Sequence, residues 1–338
     1  METNIAFSIV ILTKNSVGII ENLVNRLLDQ DFNYEYEVIF MDNSSTDGTV
    51  DYLNNTSFKH KKVIHVPEGE FSHSGTRMKG TEAAIGKYVI FFTDDILPIG
   101  KDFLSELTRP VLEGKAAAAY GVCQVNPETC DPIDAFIHNN WWQNMFEVVE
   151  PVSEFCWHYF TPEQRRRLCN FDNCSSCIDR EILLTLKFPA VPYGEDMMFA
   201  KKLILNNHKI ALAKGAKFYH WHKVSFTYLM KRMCIDQHLS IPEFGIYYIK
   251  RKLGVIKAIV TRVLHRTFTA FFKLKIPLHK KFYWSFYNMK TLTADFIGKY
   301  MGIMDENSVK GFSPINKRLL KKKQKYIDSI YKKSIKRY

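Results

Sequence analysis

A chain of 338 residues, 46% hydrophobic and 14% aromatic, can bury one large core with an appendage or two smaller cores, which excludes general disorder. Its formal net charge of +12 conceals an asymmetry. Residues 231–338 hold 25 of the 47 Lys+Arg and 6 of the 35 Asp+Glu, or +19, leaving 22 against 29, or −7, for residues 1–230.

In chain order, the N-terminal METNIAFSIVILTKN has an acid at position 2 and a short apolar run without a small-residue cleavage site, so it reads as a first strand and not as a signal peptide. Four apolar, β-rich runs follow one another: FSIVILT (7–13), YEVIFMD (36–42), KVIHV (62–66) and YVIFFTD (88–94). Between them lie segments of helical spacing, among them SVGIIENLVNRLLDQ, with Ile19, Leu23, Leu27 and Leu28 read as one face, and SGTRMKGTEAAIG. Strands alternating with helices, each strand apolar on both faces, predict an α/β fold with a mostly parallel central sheet flanked by helices. Ligands of such sheets bind beyond the C-terminal strand ends. There the first strand delivers Thr13, Lys14 and Asn15, the second delivers the stretch from Asp42 through Ser44 to Gly48, and the fourth delivers Thr93, Asp94 and Asp95.

Farther along, KAAAAYGVCQV (115–125) reads as another strand, and YGEDMMFAKKLILNN as an amphipathic helix with Glu195 and Asp196 at its N-terminus, where the helix dipole favours acids. Past residue 225 the chain reads as helical, aromatic and basic. No uninterrupted apolar stretch approaches the ~20 residues of a spanning helix. The best candidate, GVIKAIVTRVLHRTFTAFF, is cut by Lys257, Arg262, His265 and Arg266. The charge change places a boundary near 230, giving a domain over 1–230, with halves at 1–125 and 126–230, and a basic helical region over 231–338. Seven scattered cysteines, an odd number, argue for reduced thiols and a cytoplasmic setting. The lone CxxC of Cys174 and Cys177 has no second pair at zinc-ribbon spacing and reads as buried small side chains.

Two adjacent aspartates at the end of so apolar a strand call for a counter-charge, and a divalent cation held by hard oxygen ligands supplies one. The competing reading is that Asp94 and Asp95 cap the turn before Pro98. Arg77 and Lys79, beside Gly75 and a helix start, suit a phosphate or, equally, a solvated face. His220 and His222 of HWH alternate to one side of an extended strand and could complete a metal site.

SIVILTKN, MDNSSTDGT and FFTDD resemble the nucleotide-sugar half of family 2 glycosyltransferases of the GT-A, Rossmann-like fold. FSHSGTRMKG, FPAVPYGEDMMFAKKLI and YHWHKVSF resemble the bacterial rhamnosyltransferase branch. The resemblance spans residues 5–228 or so. It implies inverting transfer of a sugar from a nucleotide diphosphate donor, assisted by Mg²⁺ or Mn²⁺ and one carboxylate base. By the same resemblance, Thr13, Asn15, Ser44, Arg77 and Asp94 meet the nucleotide sugar, Asp42 accepts from the base, and Asp95 with His222 holds the metal. Asp196 matches the catalytic base, with Glu195 as the alternative and helix capping as the rival reading of both. Two departures bear on the donor sugar: Asp94-Asp95 stands where rhamnose-branch relatives often have Gln-Asp, and no Asn follows Arg77.

Enzymes of this sort use glycan or polyprenyl-diphosphate-linked acceptors, and the basic tail suits an anionic membrane surface, with Phe271, Phe272, Phe282, Tyr283 and Trp284 able to insert at its interface. A packed helical subdomain with solvated lysines is the competing reading. Nucleic acid is not expected as a partner, since zinc spacing and RNP sequences are both missing. The combined expectation is a cytoplasmic glycosyltransferase of surface polysaccharide assembly, peripheral on the inner face of the membrane, with dTDP-rhamnose the leading donor and a UDP-sugar second.

Overall fold

In the computed structural model, which describes residues 5–191, 193–304 and 314–335, every side chain of FSIVILT is buried. Runs of this kind become central strands because β-branched and aromatic side chains fill both faces of a covered sheet. The strands are β1 (Phe7–Thr13), β2 (Tyr36–Asp42), β3 (Lys61–His65), β4 (Tyr88–Thr93), β5 (Leu97–Pro98), β6 (Ala118–Gln124), β7 (Val148–Val149), β8 (Ser175–Asp179) and β9 (Ile210–Tyr219). The helices are α1 (Val17–Leu28), α2 (Thr49–Asn54), α3 (His73–Ala83), α4 (Phe103–Leu112), α5 (Pro132–Trp141), α6 (Glu154–Trp157), α7 (Pro162–Leu168), α8 (Arg180–Leu186), α9 (Glu195–Leu205), α10 (Phe226–Phe244), α11 (Lys252–Phe268), α12 (Leu278–Ile303) and α13 (Pro314–Ile335).

The chain forms two units. One comprises residues up to Gln124 together with Trp141–His220, and the other comprises Val125–Asn140 and Trp221–Ile335. The first unit is built on one mixed sheet of order β3-β2-β1-β4-β8-β6-β9-β5, with β7 beside β9. β3, β2, β1 and β4 run parallel, β8 is antiparallel to β4 and β6, and β6 with β9 is parallel again. The register pairs Thr13 with Asp42 and Leu12 with Thr93, so three strands end level at one edge. The face of α1 is corrected. Ile20, Leu23, Val24 and Leu27 are buried while Ile19 and Leu28 are exposed, because i, i+3, i+4, i+7 spacing from Ile20 is what meets the sheet.

The second unit is helical among its described residues. Met230 and Cys234 of α10, Ala294 and Met301 of α12 and Tyr326 of α13 form its buried cluster. Gly298 and Gly302 let α12 lie against α10. A Cβ on the first would sit 2.5 Å from the Met230 carbonyl oxygen, and one on the second 2.7 Å from that of Cys234. Gln237 is fully buried, yet donates to the Ile246 carbonyl (2.8 Å) and accepts from the Tyr248 amide (3.1 Å), fixing the segment after α10. None of the seven cysteines forms a disulfide, and burial raises the thiols of both Cys174 and Cys177.

Candidate active site

The loops after β1 and β2 are joined by their own polar side chains. Asn15, with φ of 47°, donates its amide to Ser45 Oγ (2.8 Å) and accepts from the Thr46 amide at Oδ1 (2.8 Å). Asp42 accepts from the Ser45 amide (3.0 Å), Ser45 Oγ (2.5 Å) and Thr13 Oγ1 (3.3 Å). Ser44, also at positive φ (53°), donates to the Val66 carbonyl (3.0 Å). Thr13 and Asp42 are enclosed by this lattice, Asp42 at 1% exposure. Asn15 is exposed at the rim.

Asp94 and Asp95 follow β4 directly. Burial raises the Asp94 carboxyl above its usual range, helped by the charge of Asp95 and opposed by the Lys14 amide, which donates to it (3.5 Å). Asp95 Oδ1 lies 3.4 Å from His220 Nε2, each side chain about a quarter exposed at 23% and 24%. His220 is itself held by the sheet edge, its amide donating to the Gln124 carbonyl (3.1 Å). β9 ends at Tyr219, so the extended strand expected to carry both histidines stops short of them. His222, exposed, is the second residue of the other unit.

Arg77 is enclosed and paired. Its side chain is 3% exposed, its guanidinium is 2.7 Å from Glu195 Oε1 and 3.3 Å from the Asn173 carbonyl, and it lies over the ring of Phe91. A cation so enclosed ties α3 to α9. Glu195 is bound in the same pair. Lys79 turns outward to Glu70 (2.9 Å).

Asp196, the next residue, differs. It is half-buried in the first turn of α9, and Oδ1 accepts from the Met197 amide (2.8 Å). Burial first, then the charges of Glu195 and Asp172, push its carboxyl up to about 7. Perturbation by desolvation together with neighbouring like charge is what marks carboxylates that exchange protons.

The family model of Glycosyl transferase family 2 matches residues 8–177, half of the chain, from β1 into β8. The chain belongs to glycosyl transferase family 2. This glycosyltransferase is 25% identical over 247 residues to an uncharacterized glycosyltransferase of Haemophilus influenzae, covering 71% of this chain and 86% of that one. It is 33% identical over 134 residues to TuaG of Bacillus subtilis (strain 168), a glycosyltransferase whose name assigns it provisionally to teichuronic acid biosynthesis. That match covers 39% of this chain and spans about half, 52%, of TuaG. Among solved structures, the mannosyltransferase PcManGT from Pyrobaculum calidifontis, in complex with GDP-Man and Mn²⁺, aligns with a TM-score of 0.51 at 16% identity, covering 98% of this chain and 85% of that one. That likeness is one of fold.

Two polar features of the glycosyltransferase escape sequence reasoning. Asp172, whose Oδ1 accepts from the Cys174 amide (2.8 Å), contributes to the field at Asp196 but carries no signal in NFDNCSSC beyond an acid before a strand. In the second unit, a cavity of about 220 Å³ is lined by Asp131, Asp134, Trp221, Arg266, Tyr287 and Asn288 among others. Its wall is cross-linked. Asn288 donates to Asp131 (2.7 Å), Arg266 to Asp134 (2.9 Å), and the Trp221 indole to Asp134 (3.2 Å). Burial pushes the Asp131 carboxyl up to about 6.

Proposed function

We propose that this family 2 enzyme transfers a sugar, with inversion, from a nucleotide diphosphate donor to a hydroxyl of a glycan or polyprenyl-diphosphate-linked acceptor. The leading donor is dTDP-rhamnose, on the motif likeness to the rhamnosyltransferase branch, and a UDP-sugar is second. The pathway is bacterial surface polysaccharide assembly, a class that the name of TuaG supports, and within it the O-antigen or capsule kind. The enzyme works in the cytoplasm, peripheral on the inner face of the membrane.

The observation that carries the proposal is Asp95 with His220 beside it at the level strand ends, their ligand atoms within 4.8 Å. A carboxylate oxygen and an imidazole nitrogen fit a divalent cation, and the imidazole tips the set toward Mn²⁺ over Mg²⁺, which prefers an all-oxygen shell. Asp95 and His220 would hold it, with His222 two residues along the chain as a further donor. When bound, the ion neutralises charge developing on the departing diphosphate. Asn15, Thr13 and Ser44 border the nucleotide, and Asp42 accepts from a base N–H once its loop opens. Asp94 shares the strand end. Asp196 takes the proton from the acceptor hydroxyl as its oxygen bonds to the anomeric carbon and the bond to the diphosphate breaks, which inverts that carbon. The polar and aromatic cavity of the second unit, Trp221 and Tyr287 beside carboxylates and an amide, is chemistry suited to a sugar ring of the acceptor.

The test is a donor screen scoring nucleotide diphosphate release across dTDP-, UDP- and GDP-sugars with Mn²⁺ or Mg²⁺. Release from dTDP-rhamnose that a chelator and Asp95→Ala both abolish is the expected result. Turnover indifferent to both removes the metal-assisted reading, and preference for a UDP-sugar replaces the donor.

A further inference from the structure

Two consecutive helices of the second unit turn apolar side chains outward where packing alone would turn polar ones. On α11 and the π-helical turn that follows it (Thr269–Lys273), Leu253, Ile256, Val260, Leu264, Phe268 and Phe272 recur at intervals of three or four and are 50–79% exposed. That spacing sets them on one stripe of a helix. The opposite side of α11 packs inward through Val255, and Thr269 and Ala270 continue that buried side into the turn. On α12, Leu278, Phe282, Phe286 and Met289 form a second stripe, 41–66% exposed. The stripes meet at the turn between the helices, where Phe268 stacks on Phe272 (centroids 4.8 Å apart) and Phe271 meets Phe282 edge-on (5.2 Å). A continuous apolar surface of this kind marks an interaction site.

Charge decides the occupant. From residue 244 to 294 the chain carries eleven Lys+Arg and no Asp or Glu. Lys257, Arg262, Lys273, Lys275, Lys280 and Lys290 are exposed along the same two helices. A second copy docked through this face would bring like charges together, whereas an anionic bilayer accepts both the apolar stripe and its basic borders. Neither helix is long and apolar enough to cross a membrane. We propose that α11, the π-turn and α12 form one in-plane membrane-docking face, apolar stripes sunk to the headgroup–acyl boundary and lysines against anionic headgroups. The proposal rests on the peripheral-membrane reading above and names its surface. That surface differs from the aromatic set expected of the sequence. Phe272, Phe282 and Tyr283 are exposed, but Trp284 packs against Tyr287 (5.5 Å), and the aliphatic stripe of α11 was not anticipated.

The test uses the full chain and extruded vesicles of phosphatidylcholine with or without phosphatidylglycerol. The protein is expected to sediment with the mixed vesicles, weakly with phosphatidylcholine alone, and less as salt rises. Combining Leu264→Glu, Phe272→Glu and Phe286→Glu should lower partitioning by more than about tenfold. Lys257→Gln, Lys273→Gln and Lys280→Gln should each lower it about fivefold at low salt. These side chains are exposed, so melting temperature and nucleotide diphosphate release in solution should hold in every variant. Wild-type protein that stays in the supernatant of anionic vesicles while turning over donor overturns the docking face and leaves the enzyme reading intact. Vesicle binding that the three glutamates do not weaken overturns it as well. So does a wild-type dimer in light scattering that the glutamates dissociate without any vesicle binding.

Discussion

Asp196, the proposed base, sits in surroundings that oppose its charge. With its carboxyl pushed to about 7 by burial, Glu195 and Asp172, it is mainly neutral at acidic pH and ionised above neutrality. Donor turnover should therefore rise across that range, read as the ascending limb on the acid side of the kcat/KM profile, and Asp196→Asn should erase that limb and cut turnover by ~10²–10⁴. The same shift fixes a stability effect. A carboxyl raised above its unfolded value contributes stability that is complete below about 4 and is lost as pH rises through about 7. Asp196→Asn should thus melt no lower than wild type on the alkaline side. Arg77 makes the opposite case. Arg77→Met leaves Glu195 buried without its cation and should cost about 3–5 kcal/mol in urea unfolding. A phosphate-binding arginine would instead raise the donor KM with stability unchanged. The sequence offered Arg77 beside a helix start, a pattern common to both roles, and only Glu195, 118 positions away, decides between them.

Elements were legible where a single pattern dominates. β1 and β2 begin and end where their mainly apolar runs do, because in strands covered on both faces even Ser8 and Glu37 are buried, the first donating to the second (2.7 Å). α1 was found but its face was misassigned, since Ile19 and Ile20 are equally apolar and the sheet, not the periodicity, selects between them. α12 shows the reverse. Its Gly298 and Gly302 read locally as weak helix formers, yet they are where α10 comes closest. Gly302→Val should push the Cys234 carbonyl and Gln237 aside and destabilise the second unit by about 1–3 kcal/mol, seen as a lower melting temperature with donor binding retained.

At the scale of the whole molecule, the charge count separates an acidic part from a basic one near residue 230, while packing gathers Val125–Asn140 with Trp221–Ile335. Asp131 and Asp134 take their hydrogen bonds from Asn288, Arg266 and Trp221. A chain ended after residue 230 therefore loses the donors of Asn288 and Arg266 along with the helical core, and it should elute as aggregate in gel filtration where the full chain does not. No composition could show this, because partners at positions 131 and 288 are brought together only by folding.

What the sequence determined by itself is the α/β class, the strand ends that carry Thr13, Asp42 and Asp94-Asp95, and the family, because these depend on local pattern and on short polar motifs after apolar runs. Tertiary packing selected which of those groups are enclosed, Thr13 and Asp42, and which stay partly exposed, Asp94 and Asp95. It committed Arg77 and Glu195 to each other, raised the proton affinity of Asp196, set His220 beside Asp95, and turned the stripes of α11 and α12 outward. The reason is physical. Burial and partnership are properties of space, and a charge or an apolar side chain acquires its role from neighbours that lie far from it along the chain.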